Sequence, residues 1–241
     1  MPRLRLLGGL RLLRSRVLAA LFAVTVVGAC GSGPPPPPAM TLTLIRHAES
    51  EGNASGFINT AVPGPGLTAK GEQEAQKVAD SLRGKDFDGI YASDMIRTQQ
   101  TAAPLAKDLD EQVQILPGLR EIEAGWFEGK PDADAASYML APSQWLDGDR
   151  DATIPGSISG NEFNDRFTQA VQKIYDSGDK NAAAFAHGGS IMMWTLMNVQ
   201  NPKDSLLQTH PLPNTGTVVL KGNPVTGWTL VDWDGVSDFS S

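Results

Sequence analysis

The chain has 241 residues, of which 41% are apolar, 7% are aromatic and 20% are charged. This composition is typical of a folded globular protein and excludes an intrinsically disordered, collagen-like or multi-span membrane chain. The single cysteine excludes an intramolecular disulfide framework and a cysteine-rich zinc site, and the three histidines leave few choices for imidazole chemistry. We predict neither a metal site nor a cofactor.

The charge is distributed unevenly along the chain. Residues 1–30 hold five of the 20 basic residues and no acidic residue, so the rest of the chain carries 15 bases and 27 acids, a formal charge of −12. An acidic body of this kind does not favour nucleic acid or an anionic membrane surface as a partner. Any anion-binding site must therefore be a local cluster of positive groups.

The N-terminus predicts export. Arginines within residues 3–16 precede an uncharged run over residues 17–29, which has the length of a signal-peptide core and is shorter than the roughly 20 residues of a membrane span. The run ends in VGAC and resembles the lipobox of bacterial lipoproteins, with Cys30 as the residue that would carry the lipid. We predict a signal peptide over residues 1–29 and a lipid anchor on Cys30. An ordinary signal peptide followed by a chance cysteine is the alternative.

Residues 30–40 comprise this cysteine and a proline-rich linker. Five consecutive prolines favour a stiff polyproline II conformation, which cannot bury a core. We predict that the linker holds a folded domain, residues 41–241, away from the membrane. A ligand for a proline-binding domain is the alternative.

The domain predicted over residues 41–241 alternates strands with helices. Apolar or β-prone runs predict strands or extended chain at residues 41–46, 88–92, 113–122, 182–186, 215–220 and 228–233. Caps and apolar stripes predict helices from Thr68 to Gly84, from Ser93 or Asp94 to Leu109, from Ser159 through Ile174, and from Ile191 to Val199. Residues 125–158 are rich in Gly, Pro and Asp and predict an irregular excursion over the sheet edge. The alternation predicts an α/β layered domain.

Two of the predicted strands end in a histidine. Arg46 and His47 follow the first strand, and His187 follows the strand at residues 182–186, directly before Gly188 and a helix. Because ligands of open α/β sheets bind at the carboxyl ends of strands, we expect both histidines to face one pocket. A helix N-terminus there adds free N–H groups that favour an anion. The pattern predicts an anion site with a nucleophilic or acid–base imidazole.

Five segments, taken in order, resemble motifs of the histidine phosphatase superfamily. LIRHAESEGN is similar to the Arg-His-Gly signature of that family and its downstream Asn, with Ala48 in place of the usual Gly. The other four segments are GLTAKGEQEA, YASDMIRTQQTA, LREIEAGWFEG and AFAHGGSI. The five segments lie between Leu44 and Ile191. The resemblance implies the phosphoglycerate-mutase-like fold, a three-layer α/β sandwich with a mostly parallel central sheet flanked by helices.

The resemblance also implies a phosphohistidine mechanism. His47 would attack phosphorus, Glu121 would be the proton donor, and Arg46, Arg97 and His187 would hold the phosphoryl oxygens. The residue types suit these roles, because guanidinium forks bind phosphate and an imidazole can form a covalent intermediate. Further substrate-binding positions implied by the motifs are Ser50, Asn53 and Gly188.

Several neighbouring residues leave alternatives open. Glu123 and Glu128 lie close enough in sequence to compete with Glu121 for the role of the acid, and His210 matches no motif, so we expect a structural or surface role for it. Substrate contacts are expected from the loop at residues 54–66 and from the excursion at residues 125–158. Aromatic residues of the excursion that could contact an apolar or sugar leaving group, or simply pack, are Trp126, Phe127, Tyr138 and Trp145.

The leading hypothesis is a metal-independent phosphomonoester hydrolase that acts on a small-molecule substrate outside the cell membrane. A phosphoglycerate-type mutase and a non-catalytic, phosphate-binding lipoprotein are the alternatives. Mutases of this fold typically carry an Arg-His-Tyr-Gly run after the acid, whereas this chain continues as IEAGW, and both this difference and the expected location favour hydrolysis. The complete set of five implied catalytic residues argues against a non-catalytic protein. The sequence predicts no oligomeric state.

Overall fold

A computed structural model describes residues 36–239. The predicted signal peptide, Cys30 and residues 31–35 of the proline-rich linker lie outside the described residues. Within residues 36–239, no helix combines the length and apolar character that crossing a bilayer requires.

The described domain is built on one six-stranded sheet. The strands are β1 (Met40–Arg46), β2 (Gly89–Ala92), β3 (Val113–Ile115), β4 (Asn181–Ala186), β5 (Thr217–Asn223) and β6 (Gly227–Trp233). Their order is β3-β2-β4-β1-β5-β6, with the first four parallel and with β5 antiparallel to both β1 and β6. The prediction of an α/β fold with a mostly parallel central sheet is confirmed.

Helices connect the strands. They are α1 (Glu51–Ser55), α2 (Ala69–Leu82), α3 (Ile96–Leu109), α4 (Ala135–Tyr138), α5 (Leu140–Leu146), α6 (Gly160–Asp176), α7 (Gly188–Asn198) and α8 (Leu206–Thr209). Two predicted caps are present: the Thr68 hydroxyl accepts from the N–H of Gly71 at 2.9 Å, and Ser159 and Glu162 form a capping box at the start of α6. Each cap satisfies backbone donors that the first helical turn leaves unpaired.

Each face of the sheet is covered by its own apolar layer, which makes the fold a three-layer sandwich. Alternate residues of β4 pack into the two layers, because successive side chains of a strand point to opposite faces of the sheet. Ala183 and Phe185 pack with α2 and α3, whereas Ala182 and Ala184 belong to the larger cluster formed with α6 and α7. The fully apolar run of β4 is explained by burial on both faces.

Some predicted element boundaries were wrong. The N-cap of α3 is Met95 rather than Ser93 or Asp94, because the Ser93 hydroxyl is bound to His187 and the Asp94 carboxylate forms an ion pair with Arg120. The segment 125–158 is not irregular throughout, since it contains α4, α5 and short 3₁₀ turns. Helix α7 also begins earlier than predicted, directly after His187.

Candidate active site

The parallel pairing of β1 with β4 brings the two strand-end histidines together. Arg46 pairs with Ala186 in the register of the sheet, and the N–H of His47 donates to the carbonyl of Ala186 at 3.0 Å. His187 directly follows Ala186, the last residue of β4. The two imidazole rings lie edge to face with their centroids 5.1 Å apart, so the two histidines are neighbours, although His187 is fully buried and does not line the cavity that contains His47.

Hydrogen bonds on both sides of the His47 ring define its tautomer. The Nε–H of Arg97 can only donate, and it lies 3.1 Å from Nε2 of His47, so Nε2 carries a lone pair. On the other side, Nδ1–H donates to the carbonyl of Ala48 at 2.7 Å. Burial, and then the positive charge of Arg97, hold the pKa of His47 well below its ordinary value. His47 is therefore a neutral imidazole whose Nε2 lone pair accepts from Arg97 and can act as a nucleophile once that hydrogen bond is released.

Two arginines supply the positive charge of the site. Arg46, at the end of β1, donates from Nη1 to the carbonyl of Leu212 at 2.6 Å, and Arg97, in the first turn of α3, donates from Nη2 to the carbonyl of Asn59 at 3.2 Å. Burial is the main cause that lowers the pKa of each arginine, and Glu121 partly opposes it. Both arginines line one cavity of about 190 Å³ together with His47.

Three buried nitrogen atoms of this cluster lack a hydrogen-bond partner within residues 36–239. They are Nε of Arg46, Nη1 of Arg97 and Nδ1 of His187. An unpaired buried polar group typically costs about 1–3 kcal/mol, so a cluster of such groups is expected where a ligand completes the hydrogen bonds. A tetrahedral oxyanion would supply the acceptors that the guanidinium groups lack.

A chain of hydroxyl groups holds His187. Its Nε2 lies 2.9 Å from the hydroxyl of Ser93, and Ser93 Oγ lies 2.8 Å from the hydroxyl of Thr98. Burial, followed by the charge of Arg97, keeps the pKa of His187 well below its ordinary value. The sequence analysis predicts only a helix cap for Ser93. However, Ser93 directly follows β2, whose end lies at the same edge of the sheet as the ends of β1 and β4, and this position is a signal for a role in the site.

The carboxylate of Glu121 lies at the N-terminus of α7. It accepts from the N–H groups of Gly189 at 3.0 Å and Ser190 at 2.7 Å, and also from its neighbour Ile122 at 2.9 Å. Free N–H groups and the helix dipole both favour a carboxylate at this position. Glu121 also lines the cavity that contains His47, so its carboxylate is in a position to exchange a proton with a ligand bound there.

The two competing carboxylates are engaged elsewhere. Glu123 forms an ion pair with Arg166 at 2.6 Å, and Glu128 accepts from the N–H and the hydroxyl of Thr60. Neither lines the cavity that contains His47. Arg166 also donates from Nη2 to the carbonyl of Glu121 at 3.1 Å, so this pair holds the backbone of the candidate acid.

Two of the remaining predicted contacts lie on the β1–α1 connection, whereas the third, Gly188, does not line the cavity that contains His47. Ser50 and Asn53 form a capping box at the start of α1, and both line the cavity. Asn214, which sequence reasoning missed, donates to the carbonyl of His47 at 3.0 Å and braces this connection from the β5 side. Ala48 is buried and has no positive φ, so the methyl group that replaces the usual glycine hydrogen causes no backbone strain.

The two glycines after β4 allow close approach of the charged groups. An ideal Cβ on Gly188 would lie 3.2 Å from Nε of Arg46, and one on Gly189 would lie 2.8 Å from Oε1 of Glu121. The second distance is shorter than a normal carbon–oxygen contact. A side chain at Gly189 would therefore displace the carboxylate.

Comparison with known proteins agrees with this geometry. Residues 42–234 match the histidine phosphatase superfamily (branch 1). The chain belongs to this family. Its members include phosphatases and phosphoglycerate mutase-like proteins.

Two curated relatives illustrate the range of similarity. A PE-PGRS family protein of Mycobacterium tuberculosis is 47% identical over 82% of this chain and 37% of its own length. An adenosylcobalamin/α-ribazole phosphatase of Escherichia coli is 35% identical over 44% of this chain and 54% of its own length. The matched region thus spans less than two thirds of each of these relatives.

Solved structures of the family share the fold. The α-ribazole phosphatase of Shigella flexneri has a TM-score of 0.63 and 23% identity, covering 83% of this chain and 100% of the other. A mycobacterial glucosyl-3-phosphoglycerate phosphatase has a TM-score of 0.67 and 20% identity, with coverage of 83% and 100%. The likeness places this histidine phosphatase domain in the phosphoglycerate-mutase-like fold.

The aromatic residues of the excursion have different positions in this histidine phosphatase. Tyr138 is buried, donates from its hydroxyl to the carbonyl of Ile122 at 2.6 Å, and lines the cavity. Trp145 belongs to the core, and Phe127 packs against that core. Trp126 is 75% exposed and does not line the cavity. His210 is exposed, in agreement with a surface role.

The described residues offer no metal site. Within residues 36–239, no group of three or more His, Cys, Asp or Glu side chains is arranged to hold a metal ion.

Proposed function

We propose that the domain is a phosphomonoester hydrolase that works through a phosphohistidine on His47. The observation that carries this proposal is the position of the His47 Nε2 lone pair beside two buried guanidinium groups and the carboxylate of Glu121. A phosphomonoester carries about −1.5 to −2 charges near pH 7, which suits the two guanidinium groups. Positioning and charge stabilisation of this kind account for most of the catalysis of phosphoryl transfer.

The first step forms the covalent intermediate. Nε2 of His47 attacks phosphorus in line with the ester oxygen, the N–P bond forms, and the P–O bond to the alcohol breaks. The electron pair of that bond goes to the leaving oxygen, and protonated Glu121 supplies its proton. Arg46, Arg97 and His187 hold the three other phosphoryl oxygens while negative charge develops on them.

The second step regenerates the enzyme. Glu121, now ionised, takes a proton from a water molecule as that water attacks phosphorus. The N–P bond breaks, its electron pair returns to Nε2 of His47, and inorganic phosphate leaves. In a mutase, a hydroxyl group of a second substrate would replace the water in this step.

The test is phosphate release by the full chain without added metal. Hydrolysis of 4-nitrophenyl phosphate that persists in a chelator, disappears in His47→Ala and persists in the matched variant His210→Ala is the expected result. Acid-labile labelling of His47 after a rapid quench with a ³²P-labelled ester identifies the intermediate. Equal rates with and without His47 would refute the mechanism, and phosphoryl transfer to an added phosphoglycerate in preference to water would indicate a mutase.

We further propose that a lipid on Cys30 tethers the domain outside the cell membrane. The apolar run at residues 17–29 and the position of the only cysteine support this proposal. A spacer of five prolines suits a domain that works close to a membrane without touching it.

A further inference from the structure

A second cavity adjoins the proposed phosphate pocket. It has a volume of about 540 Å³, against about 190 Å³ for the cavity that contains His47. Four residues line both cavities: Arg46, Glu121, Ala135 and Tyr138. Its volume lies within the range of about 300–1,000 Å³ that is usual for small-molecule sites.

The wall of the second cavity is mainly apolar. Ala136 of α4, Met139 between α4 and α5, Met192 of α7 and Leu207 of α8 contribute to it. Its polar lining residues include Ser143 and Gln208, which carry no charge. Such a wall favours a hydrocarbon group that leaves water on binding.

The charged side chains at the boundary between the two cavities already have partners or assigned roles. Among the described residues that line the second cavity, the charged side chains are Arg46 and Glu121, and no lysine or histidine contributes. Glu121 is held by the N–H groups of α7, and Arg46 is assigned to the phosphoryl group. A leaving group with a carboxylate or a second phosphate would therefore lie near Glu121 without a cation of its own, which is unfavourable in a partly desolvated site.

We infer that the substrate is a phosphomonoester of an uncharged, apolar alcohol, whose aryl or alkyl group fills the second cavity. This inference depends on the proposed hydrolase function. Glu121 lies on the boundary between the two cavities, which is where the bond between phosphorus and the leaving oxygen must lie. The same carboxyl group can thus protonate the leaving oxygen, while the apolar cavity begins on its other side.

A series of n-alkyl phosphates from ethyl to octyl tests the inference on the full chain. Burial of one methylene is worth about 0.8 kcal/mol, so kcat/KM should rise up to about fourfold per added methylene until the cavity is filled. Propyl phosphate should exceed 3-phosphoglycerate, which has the same number of carbons and a carboxylate, by at least about tenfold. A flat series, or preference for 3-phosphoglycerate, would overturn the inference.

Two substitutions on α4 report on the cavity itself. Ala136 is exposed at the cavity wall, so its replacement is compatible with folding. Ala136→Asp should flatten the alkyl series, whereas Ala136→Arg should raise kcat/KM for 3-phosphoglycerate relative to octyl phosphate. Val225→Asp, at a 75% exposed site beyond the end of β5 and outside both cavities, is the matched control and should leave the slope unchanged. An equal effect of Ala136→Asp and Val225→Asp would count against the cavity.

The outcomes separate this inference from the proposed function. If no ester is hydrolysed, or if His47→Ala retains the activity, the hydrolase proposal fails. If hydrolysis depends on His47 but the alkyl series is flat, only the substrate class is wrong.

Discussion

Substitution of Gly189 by alanine should disable the proposed acid while the nucleophile stays intact. A Cβ at this position would lie 2.8 Å from Oε1 of Glu121, whereas an ordinary carbon–oxygen contact begins near 3.4 Å. The carboxylate must therefore shift by about 0.6 Å, away from the N–H groups that now hold it. Because a misplacement of about 1 Å can reduce a rate about 100-fold, we expect a 10- to 20-fold loss in the step that needs the proton.

The dependence on the leaving group isolates this effect. An alkoxide needs a proton to leave, whereas nitrophenolate is a weak base that leaves without one. Gly189→Ala should therefore lower kcat/KM for ethyl phosphate about 10- to 20-fold and change kcat/KM for 4-nitrophenyl phosphate much less. Ser190→Ala, which keeps its backbone N–H and adds no atom toward Glu121, is the matched control.

A double-mutant cycle provides the decisive comparison. In a Glu121→Gln background the acid is already absent, so adding Gly189→Ala should cause little further loss. Circular dichroism and the melting temperature of each variant verify that α7 still folds. Equal losses with both substrates, or a full additional loss in the Glu121→Gln background, would show that Gly189 does not act through the carboxylate.

Three further outcomes are expected. Because burial depresses the pKa of His47 and His187, the unfolded chain binds protons below about pH 6.5 that the folded chain does not. The free energy of unfolding should therefore fall by about 1 kcal/mol per histidine between pH 7 and 5.5. Urea titrations should show a shallower loss in His187→Asn, and an equal loss would contradict neutral burial. Arg97→Lys, which keeps the charge but lacks the planar fork that can bind phosphoryl oxygens, should reduce kcat/KM at least about 100-fold, and near-normal hydrolysis would exclude Arg97 from phosphate binding. Cys30→Ala should abolish incorporation of labelled fatty acid and release the protein from membranes, and unchanged labelling would refute the anchor.

Much of the fold follows from local patterns, because those patterns report burial directly. The uninterrupted apolar run of β4 predicts a strand covered on both faces, and Phe163, Phe167 and Ile174 predict the buried stripe of α6. The stripe of α6 repeats with the helical period, whereas the run of β4 has no alternation because both of its faces are buried. The strand-end positions of His47 and His187 then predict their meeting, since parallel strands end at one edge.

What could not be predicted depends on contacts between distant parts of the chain. Ser93 and Asp94 both have the chemistry of a helix cap, but a histidine 94 residues away and an arginine 26 residues away bind them instead. The support of His47 by Asn214 bridges 167 residues. Glu121 could be separated from Glu123 only when the structure showed the latter paired with Arg166.

The place of β1 in the sheet has a consequence for the order of folding. Both neighbours of β1 come late in the chain, since β4 begins at Asn181 and β5 at Thr217. Pairings at such long sequence separation carry a high loop-closure entropy and form slowly. A nascent chain that ends before Asn181 contains neither β4 nor β5, the two strands that pair with β1. The proposed nucleophile and the proposed phosphate-binding groups should therefore assemble only after nearly the whole domain has been synthesised, and no N-terminal fragment should have hydrolase activity.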